Sequence, residues 1–275
     1  MNMRLLVAQV VALCGFFGVQ AMHMTEGQKK LLGALEAGNT KLVQEIVDSR
    51  VDCNFRDKIG FTPLHHAVVS KNEGLLVALL SSRTINVDMS DRYGDDPMQW
   101  SPLCWASDEK IIALLVNLKK ADANFCDKRL QTPLFQIVIY GEPARKVALA
   151  KALLERGALV DKIDYKGRTA LHWAAQEGDV ELVKLLVLYG APVDTKDLEQ
   201  QTAAEVAAAC DHKNIAEYLK KQSSITPVQQ IGNDRNIVPK IVKMMLANAR
   251  KKNGSRRTMH ASGLNGTHFK YRAVI

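Results

Sequence analysis

The chain has 275 residues, enough for one or two domains, and its 47% hydrophobic content is ample for a packed core. Its formal net charge of +8 is unevenly distributed, because residues 223–275 contain ten Lys and Arg against the single acid Asp234. This tail therefore carries +9 and the preceding residues carry −1, which excludes a chain that is basic throughout and confines the question of polyanion binding to the tail.

Residues 1–21 have the pattern of an export signal. Arg4 provides a positive start, an apolar run follows over residues 5–19, and small residues stand before a cleavage site after Ala21. The run is shorter than a comfortable membrane span. We therefore expect a cleaved signal peptide and an exported protein, periplasmic or secreted. An uncleaved anchor or a buried first helix is the alternative.

Two helical patterns follow the signal, over residues 28–37 and 40–49, and Gly38 and Asn39 separate them. The outer side of this pair is polar, as it is at Lys29. A terminal unit of a stack needs such a side because no neighbour covers it.

One helix start recurs five times along the rest of the chain. The five versions are Thr62-Pro-Leu-His-His-Ala67, Ser101-Pro-Leu-Cys-Trp-Ala106, Thr132-Pro-Leu-Phe135, Thr169-Ala-Leu-His-Trp-Ala174 and Thr202-Ala-Ala-Glu-Val-Ala207. Successive starts are 39, 31, 37 and 33 residues apart. A period of this size indicates stacked repeats, each of which buries its apolar face against its neighbours.

The unit at residues 164–191 shows most clearly how a repeat is built. Gly167 accommodates the positive φ of a tight turn, and Thr169 caps the helix that follows. Gly178 ends that helix. The second helix has apolar residues on one face, namely Leu182, Val183, Leu185 and Leu186.

The segment Asp164–Gly178 matches almost throughout the pattern Asp-x-x-Gly-x-Thr-Pro-Leu-His-x-Ala-Ala-x-x-Gly, so the chain resembles the ankyrin-repeat family, here of an exported, bacterial type. The resemblance implies an all-α solenoid of about six helix-turn-helix repeats with hairpin fingers, over residues 22–222. It also implies a domain that binds other proteins. The repeats are expected near residues 28–57, 58–91, 92–127, 128–164, 165–197 and 198–221.

Two fingers depart from the family pattern. Before Ser101 five extra residues intervene, and the inserted loop holds Met98 and Trp100. These side chains form either a contact site for a partner or packing against their own repeat. In the next finger Leu130 stands where the pattern has glycine. A positive φ would strain a leucine, so either the turn changes type or this finger is less regular.

The basic tail, residues 223–275, is predicted to contain one amphipathic helix near residues 239–252. This helix either folds back to seal the end of the solenoid or lies on an anionic membrane or in a partner groove. The tail is therefore an alternative functional element, a tether to an anionic surface or to a polyanion such as nucleic acid, through weak and salt-sensitive contacts.

Enzymatic chemistry is not indicated by the sequence. His65 and His172 occupy the histidine of the helix start, where the resemblance implies that the ring bonds to the turn backbone. Other histidines lack Cys, Asp or Glu at metal-ligand spacing, and no phosphate-loop, dinucleotide or nucleophile-elbow motif occurs. We expect no catalytic residue, metal, cofactor or small-molecule substrate, and we expect a monomer. An enzyme without recognisable motifs is the remoter alternative.

Four cysteines remain after the predicted signal, namely Cys53, Cys104, Cys126 and Cys210. An even number in an exported protein suggests disulfides. The repeat alignment nevertheless places the four in different repeats, whose layers lie about 10 Å apart. Bridging needs Cα atoms within about 7 Å, so we expect no disulfide.

The variable positions of the fingers are basic and aromatic, which favours an acidic protein partner. The predicted partner-binding residues are Lys58, Phe61, Arg92, Tyr93, Trp105, Arg129, Tyr165, Lys166, Arg168 and Trp173. Trp105 and Trp173 follow the histidine position of their repeats, and the resemblance implies that this position faces the concave groove. The two tryptophans either anchor the partner as a hot spot or each covers its own repeat.

Overall fold

The computed structural model describes residues 24–92 and 99–223. This part of the chain contains eleven α-helices, one short 3₁₀-helix and no β-strand, which confirms the predicted all-α repeat solenoid. The α-helices are α1 (Glu26–Glu36), α2 (Thr40–Asp48), α3 (Pro63–Val69), α4 (Glu73–Leu80), α5 (Glu109–Lys119), α6 (Pro133–Tyr140), α7 (Lys146–Leu154), α8 (Ala170–Glu177), α9 (Val180–Leu188), α10 (Ala203–Ala209) and α11 (Lys213–Ser223).

Several of the sequence-based predictions fall outside the described residues. They are the signal peptide at residues 1–21, the finger residues Tyr93 and Met98, and the tail helix near residues 239–252.

The helices pack in two rows. The first helices of the repeats form one row, in the order α1, α3, the 3₁₀-helix, α6, α8 and α10, and the second helices α2, α4, α5, α7 and α9 form the other. First and second helices of the same repeat also contact each other, as α8 contacts α9 and α10 contacts α11. Each repeat therefore buries its apolar face against its own partner helix and against both neighbouring repeats.

Leucines of the first row form a continuous core. Those in equivalent places are at most 1% exposed, namely Leu31, Leu64, Leu103, Leu134 and Leu171. Full burial of one such side chain contributes about 2 kcal/mol. The same spacing that identified the repeats in the sequence therefore supplies the hydrophobic stabilisation.

The helices of the first row begin in a common way, because a threonine or serine precedes them. Thr62 Oγ1 accepts a hydrogen bond from the backbone N–H of His65 at 3.4 Å. Pro63 and Pro133 occupy the first helical position, where a missing N–H leaves no bond unmade.

The third repeat is shorter than the others. Its first helix is only the 3₁₀-helix Pro102–Trp105, and Ala106 is already extended with φ −67° and ψ 118°. Asp108 then caps α5 by accepting from the backbone N–H of Lys110 at 2.9 Å. The third repeat has too few residues for a full first α-helix, and the four-residue 3₁₀-helix takes its place.

Trp100, at the end of the inserted loop, packs into the interior. It is 5% exposed, and its ring lies 5.2 Å from the ring of Trp105 and 5.7 Å from that of Tyr140, measured between centroids. Of the two interpretations of this residue, packing against the repeats is therefore the correct one.

All four cysteines of the described part are free, and Cys53 and Cys104 are buried. Burial raises the pKa of the Cys53 thiol to about 11 and that of the Cys104 thiol to about 12. These two side chains are neutral and serve as small apolar residues of the core.

Leu130 keeps the backbone conformation that the finger pattern normally assigns to glycine. Its φ is 58°, compared with 88° at Gly60 and 71° at Gly167, and Gln200 has 61° in the last finger. The turn type is thus retained, and Leu130 occupies the left-handed region at a cost of about 1–2 kcal/mol. The side chain is 50% exposed, so packing offsets little of this cost.

We expect Leu130→Gly to raise the free energy of unfolding by about 1 kcal/mol, because relief of the strain exceeds the extra backbone entropy that glycine loses on folding. Urea unfolding followed by far-UV circular dichroism measures this change. The reverse substitution in the next finger, Gly167→Leu, should destabilise. A Leu130→Gly protein less stable than the unmodified one would show that the leucine is not strained.

Candidate protein-binding surface

Each hairpin finger is built around an aspartate at its base. These finger aspartates are Asp57, Asp91, Asp127, Asp164 and Asp197, and the last four are at most 6% exposed. In Asp164 the Oδ1 atom accepts from the backbone N–H groups of Lys166 at 2.8 Å and Arg168 at 3.0 Å. Asp57, Asp127 and Asp197 close their turns in the same way.

We number each finger by its repeat, so that Asp57 belongs to the second finger and Asp197 to the sixth. The inserted loop changes the hydrogen-bond pattern in the third finger, that of Asp91. Asp91 Oδ1 accepts from the backbone N–H of Trp100 at 2.9 Å, because the extra residues separate the two ends of the turn. The carboxylate thus still joins the base of the finger to the residue before the next helix.

The second carboxylate oxygen of the finger aspartates reaches the groove. Trp105 Nε1 donates to Asp91 Oδ2 at 2.8 Å, and Trp173 Nε1 donates to Asp164 Oδ2 at 3.0 Å. The same carboxylate oxygen is bound by His66 Nε2 in the second finger, at 2.7 Å, and by Gln136 Nε2 in the fourth, at 3.4 Å. The residue after the histidine position is therefore hydrogen-bonded inside its own repeat.

This arrangement corrects part of the predicted binding set. Trp105 is 6% exposed and Phe61 is 4% exposed, with the two rings 5.1 Å apart in an edge contact. Neither side chain offers a partner more than its edge, because the stacked repeats cover it. Trp173 is only partly buried.

Arg168 is also engaged within the array. Its Nε donates to Asp197 Oδ2 at 3.0 Å, and its side chain is 12% exposed. Burial alone would raise the pKa of Asp197, but the backbone N–H of Gln201 and the Arg168 guanidinium outweigh it and lower that pKa. Arg168 therefore joins the fifth finger to the sixth instead of projecting toward a partner.

The residues at the tips of the fingers remain available. We define the fingertip residues as the first residue after each finger aspartate, namely Lys58, Arg92, Lys128, Tyr165 and Leu198. All five are exposed, with Tyr165 at 49% and Leu198 at 74%. Lys58, Arg92 and Tyr165 belong to the predicted set. Leu198 was missed, although its place after the aspartate could have identified it.

The fifth finger brings four predicted residues together. Lys166 Nζ lies 5.7 Å from the centre of the Tyr165 ring and 5.8 Å from that of Trp173. The guanidinium carbon of Arg168 lies 5.5 Å from the centre of the same Trp173 ring. Such cation–π contacts contribute about 0.5–1 kcal/mol each at exposed sites. Arg129, in the fourth finger, is partly exposed.

His65 and His172 hold neighbouring repeats together. Nδ1 of His172 accepts from the backbone N–H of Thr169 at 3.1 Å, so Nε2 carries the proton and donates to the carbonyl of Gln201 at 3.2 Å. His65 links Thr62 to the carbonyl of Trp100 in the same manner. The predicted structural role of both rings agrees with these contacts.

Both bridging histidines are neutral. Burial lowers the pKa of His65 to about 3, although its bond to the Trp100 carbonyl opposes the shift. Burial likewise lowers the pKa of His172. A protonated ring would lose the acceptor that Nδ1 provides, so the bridge requires the uncharged form.

The described residues contain no cluster of three or more His, Cys, Asp or Glu side chains that could hold a metal ion. Nor does any helix of residues 24–92 or 99–223 have the length and hydrophobicity to cross a membrane.

A family model of ankyrin repeats matches the sequence in three copies, over residues 31–117, 103–197 and 145–231. The chain belongs to the ankyrin-repeat family. Repeats of this family are generally protein–protein interaction modules and typically not enzymes, and the finger surface is consistent with that general role.

The relatives are eukaryotic and bacterial. The chain is 29% identical over 203 residues to a probable serine/threonine-protein kinase of Dictyostelium discoideum, which covers 72% of the chain and 24% of that protein. It is 27% identical over 157 residues to a putative ankyrin repeat protein of Rickettsia bellii, covering 56% and 34%. With human ankyrin repeat domain-containing protein 63 the identity is 34% over 105 residues, covering 37% and 28%.

The chain thus spans only 24–34% of the length of these relatives. Since they include both eukaryotic and bacterial proteins, they do not show the exported, bacterial type that the sequence suggested.

We expect the stability of the array to fall as pH is lowered below about 6.5. Unfolded histidine binds a proton near that pH whereas folded His65 does so only near pH 3, so the unfolded state gains protons in this window. The loss should approach about 1 kcal/mol per pH unit for His65 in this window, and His172, whose pKa burial also lowers, contributes in the same direction. Urea midpoints measured across the window test this.

The variant His65→Leu tests whether the decline in stability at low pH comes from the buried histidine or from other titrating groups. It should be less stable at neutral pH, because two hydrogen bonds are lost, yet show a shallower decline on acidification. His212→Gln, at a partly exposed histidine, is the matched control and should retain the full decline. An unchanged pH dependence in His65→Leu would contradict the assignment.

Proposed function

We propose that the chain is a non-enzymatic scaffold that holds an acidic partner protein against its fingers and the adjoining groove. One observation carries the proposal. Among the described residues, five finger cations that are exposed or partly exposed form no ion pair, namely Lys58, Arg92, Lys128, Arg129 and Lys166.

Several other cations of the array do form ion pairs with neighbouring acids. Arg145 contacts Asp108 at 3.1 Å and Glu109 at 2.9 Å, and Arg168 contacts Asp197. The finger aspartates, which lie in the same turns, already accept hydrogen bonds from the turn and the groove. The positive charge of the fingers is therefore available to an external acid.

The fingers are also pre-ordered. The backbone N–H of Arg92 donates to the carbonyl of Gly60, that of Tyr165 to Arg129, and that of Leu198 to Lys166, each at 3.0 Å. A side chain mounted on such a connected turn loses little further backbone freedom on binding. This favours recognition of a partner without prior folding of the site.

The aromatic residues extend the cationic surface. Tyr165 is half exposed and Trp173 is partly buried, so both contribute apolar area beside Lys166. We assign Trp173 and Tyr165 to the contact surface, and Trp105 and Phe61 to its support.

We also propose, from residues 1–21 alone, that the array acts after export, in the periplasm or outside the cell. The mass of the mature chain tests this, because cleavage after Ala21 would remove that segment.

Reversal of the fingertip charge should abolish capture of the partner. The variant carries Lys58→Glu, Arg92→Glu, Arg129→Glu and Lys166→Glu. We expect partner proteins captured by the unmodified chain to be lost from this variant by about tenfold or more, since the interaction changes from attraction to repulsion. Affinity capture with quantitative mass spectrometry, at low and high salt, measures the loss.

A variant with the same net charge provides the control. It reverses four exposed lysines that form no ion pair among the described residues and lie in the second helices or at the end of one, away from the fingers, namely Lys41, Lys120, Lys151 and Lys221. This variant should retain the partner. Equal capture by all three proteins, without salt dependence, would refute binding through the fingers.

The tail remains a second candidate, favoured by its net charge of +9. If it acts as a tether, deletion of residues 224–275 should abolish co-sedimentation with anionic vesicles or RNA while capture of the partner by the array continues. Unchanged co-sedimentation of the truncated chain would exclude the tether.

A further inference from the structure

We propose that the five fingertip residues form two adjoining subsites for one extended segment of the partner protein. The first three fingertips hold an acidic stretch and the last two hold an apolar stretch. In order along the solenoid the residues are Lys58, Arg92, Lys128, Tyr165 and Leu198. The proposal rests on the proposed function and specifies the chemistry of the partner at that same surface.

Backbone geometry places the fingertip residues in register. Each follows a finger aspartate that closes or anchors its turn, so each leaves its finger at the same point. Three of them, Arg92, Tyr165 and Leu198, also donate their backbone N–H to the preceding finger at the same distance of 3.0 Å. The side chains therefore form a single row instead of five unrelated protrusions.

The first part of the row consists of cations that have no ion-pair partner among the described residues. Lys58, Arg92 and Lys128 are exposed, and within the described residues none of them forms an ion pair. Arg56 adds charge behind them, because it is held against the Ser90 carbonyl by Nε at 2.9 Å and Nη2 at 2.7 Å.

The proximity of Arg56 and Arg92 has an electrostatic effect. Burial lowers the pKa of Arg56, the charge of Arg92 lowers it further, and Asp91 opposes both. A carboxylate bound at this end would reduce the repulsion between the two arginines.

The second part of the row is apolar and exposed. Leu198 is 74% exposed, the highest value among the large hydrophobic residues of the described part, and Tyr165 is 49% exposed. Leu198 Cγ lies 3.4 Å from the point where a side chain on Gly167 would begin, so the leucine lies across the fifth finger. Leu130, at 50% exposure in the fourth finger, extends this surface toward the cations.

The repeat spacing suits an extended peptide. Stacked helices lie about 8–10 Å apart, and an extended chain in the polyproline II conformation has three residues per turn and rises about 3.1 Å per residue. Every third residue of such a peptide lies on the same face, about 9 Å from the last, and thus meets a successive fingertip. The preferred segment therefore has three acidic residues at this spacing, followed by two apolar residues at the same spacing.

Fluorescence anisotropy with labelled synthetic peptides tests the proposal on the full chain. The block peptide carries the acidic and apolar residues in the order above, and a second version carries them in the reverse chain direction. A scrambled peptide of identical composition alternates the two types, and an acid-only peptide has serine at the apolar positions. We expect one block peptide to bind about tenfold or more tighter than the scrambled one.

Two variants test the cationic subsite and the apolar subsite separately. Lys58→Glu/Arg92→Glu/Lys128→Glu should eliminate binding of both the block and the acid-only peptides. Tyr165→Ser/Leu198→Ser should weaken the block peptide about tenfold and leave the acid-only peptide unchanged, because both side chains are exposed and their loss leaves the core intact. Circular dichroism confirms that each variant is folded.

The outcomes separate this proposal from the function on which it rests. Equal affinity for block and scrambled peptides, with binding still abolished by charge reversal, overturns the two-part site but keeps an acidic partner. Absence of binding to every acidic peptide overturns the two-part site, and partner capture then decides the function independently. A single-stranded RNA that binds the fingertips as tightly as the block peptide would also overturn it.

Discussion

The finger surface depends on one interaction, the buried carboxylate at the base of each hairpin. Burial of an ionised carboxylate costs several kcal/mol unless hydrogen bonds compensate for the lost water. Here Oδ1 accepts from the turn backbone and Oδ2 accepts from a groove side chain, as Asp164 does with Lys166, Arg168 and Trp173. The same carboxylate thus shapes the finger and connects it to the helix that follows.

This connection separates structural from available side chains. Residues that reach inward use their polar atoms on a finger carboxylate. Trp173 binds the carboxylate of its own repeat, Asp164, whereas Trp100 binds Asp127 at 3.2 Å and Arg168 binds Asp197 at 3.0 Å in the next repeat. The fingertip residues are exposed, and the cations among them form no ion pair with a carboxylate of the described residues. A partner therefore meets a surface whose cations are unpaired and whose support is already satisfied.

Within each finger, some side chains therefore stabilise the array while others are exposed for binding. The bridging histidines bind adjacent repeats through neutral rings, and in the last repeat Glu205 takes the place of histidine. Glu205 caps its own helix, because its carboxylate accepts from the backbone N–H and the hydroxyl of Thr202.

Much of the architecture could be predicted from the sequence, because helix starts, capping residues and apolar spacing act locally and repeat with the period of the fold. The helix-start threonines, the core leucines and the histidine role are of this kind. The turn at Leu130 was harder to predict, since the positive φ in a leucine is imposed by the finger aspartate and neighbouring hairpins against its own preference.

The sequence by itself determined the family, the repeat period and the basic character of the fingers. Only the tertiary structure decided which aromatic and basic residues are available. Trp105 and Trp173 occupy the same position in their repeats, yet Trp105 is buried against Trp100 and Phe61 whereas Trp173 is only partly buried. Burial in a stacked array is set by the neighbouring repeat, and a pattern within one repeat does not contain that information.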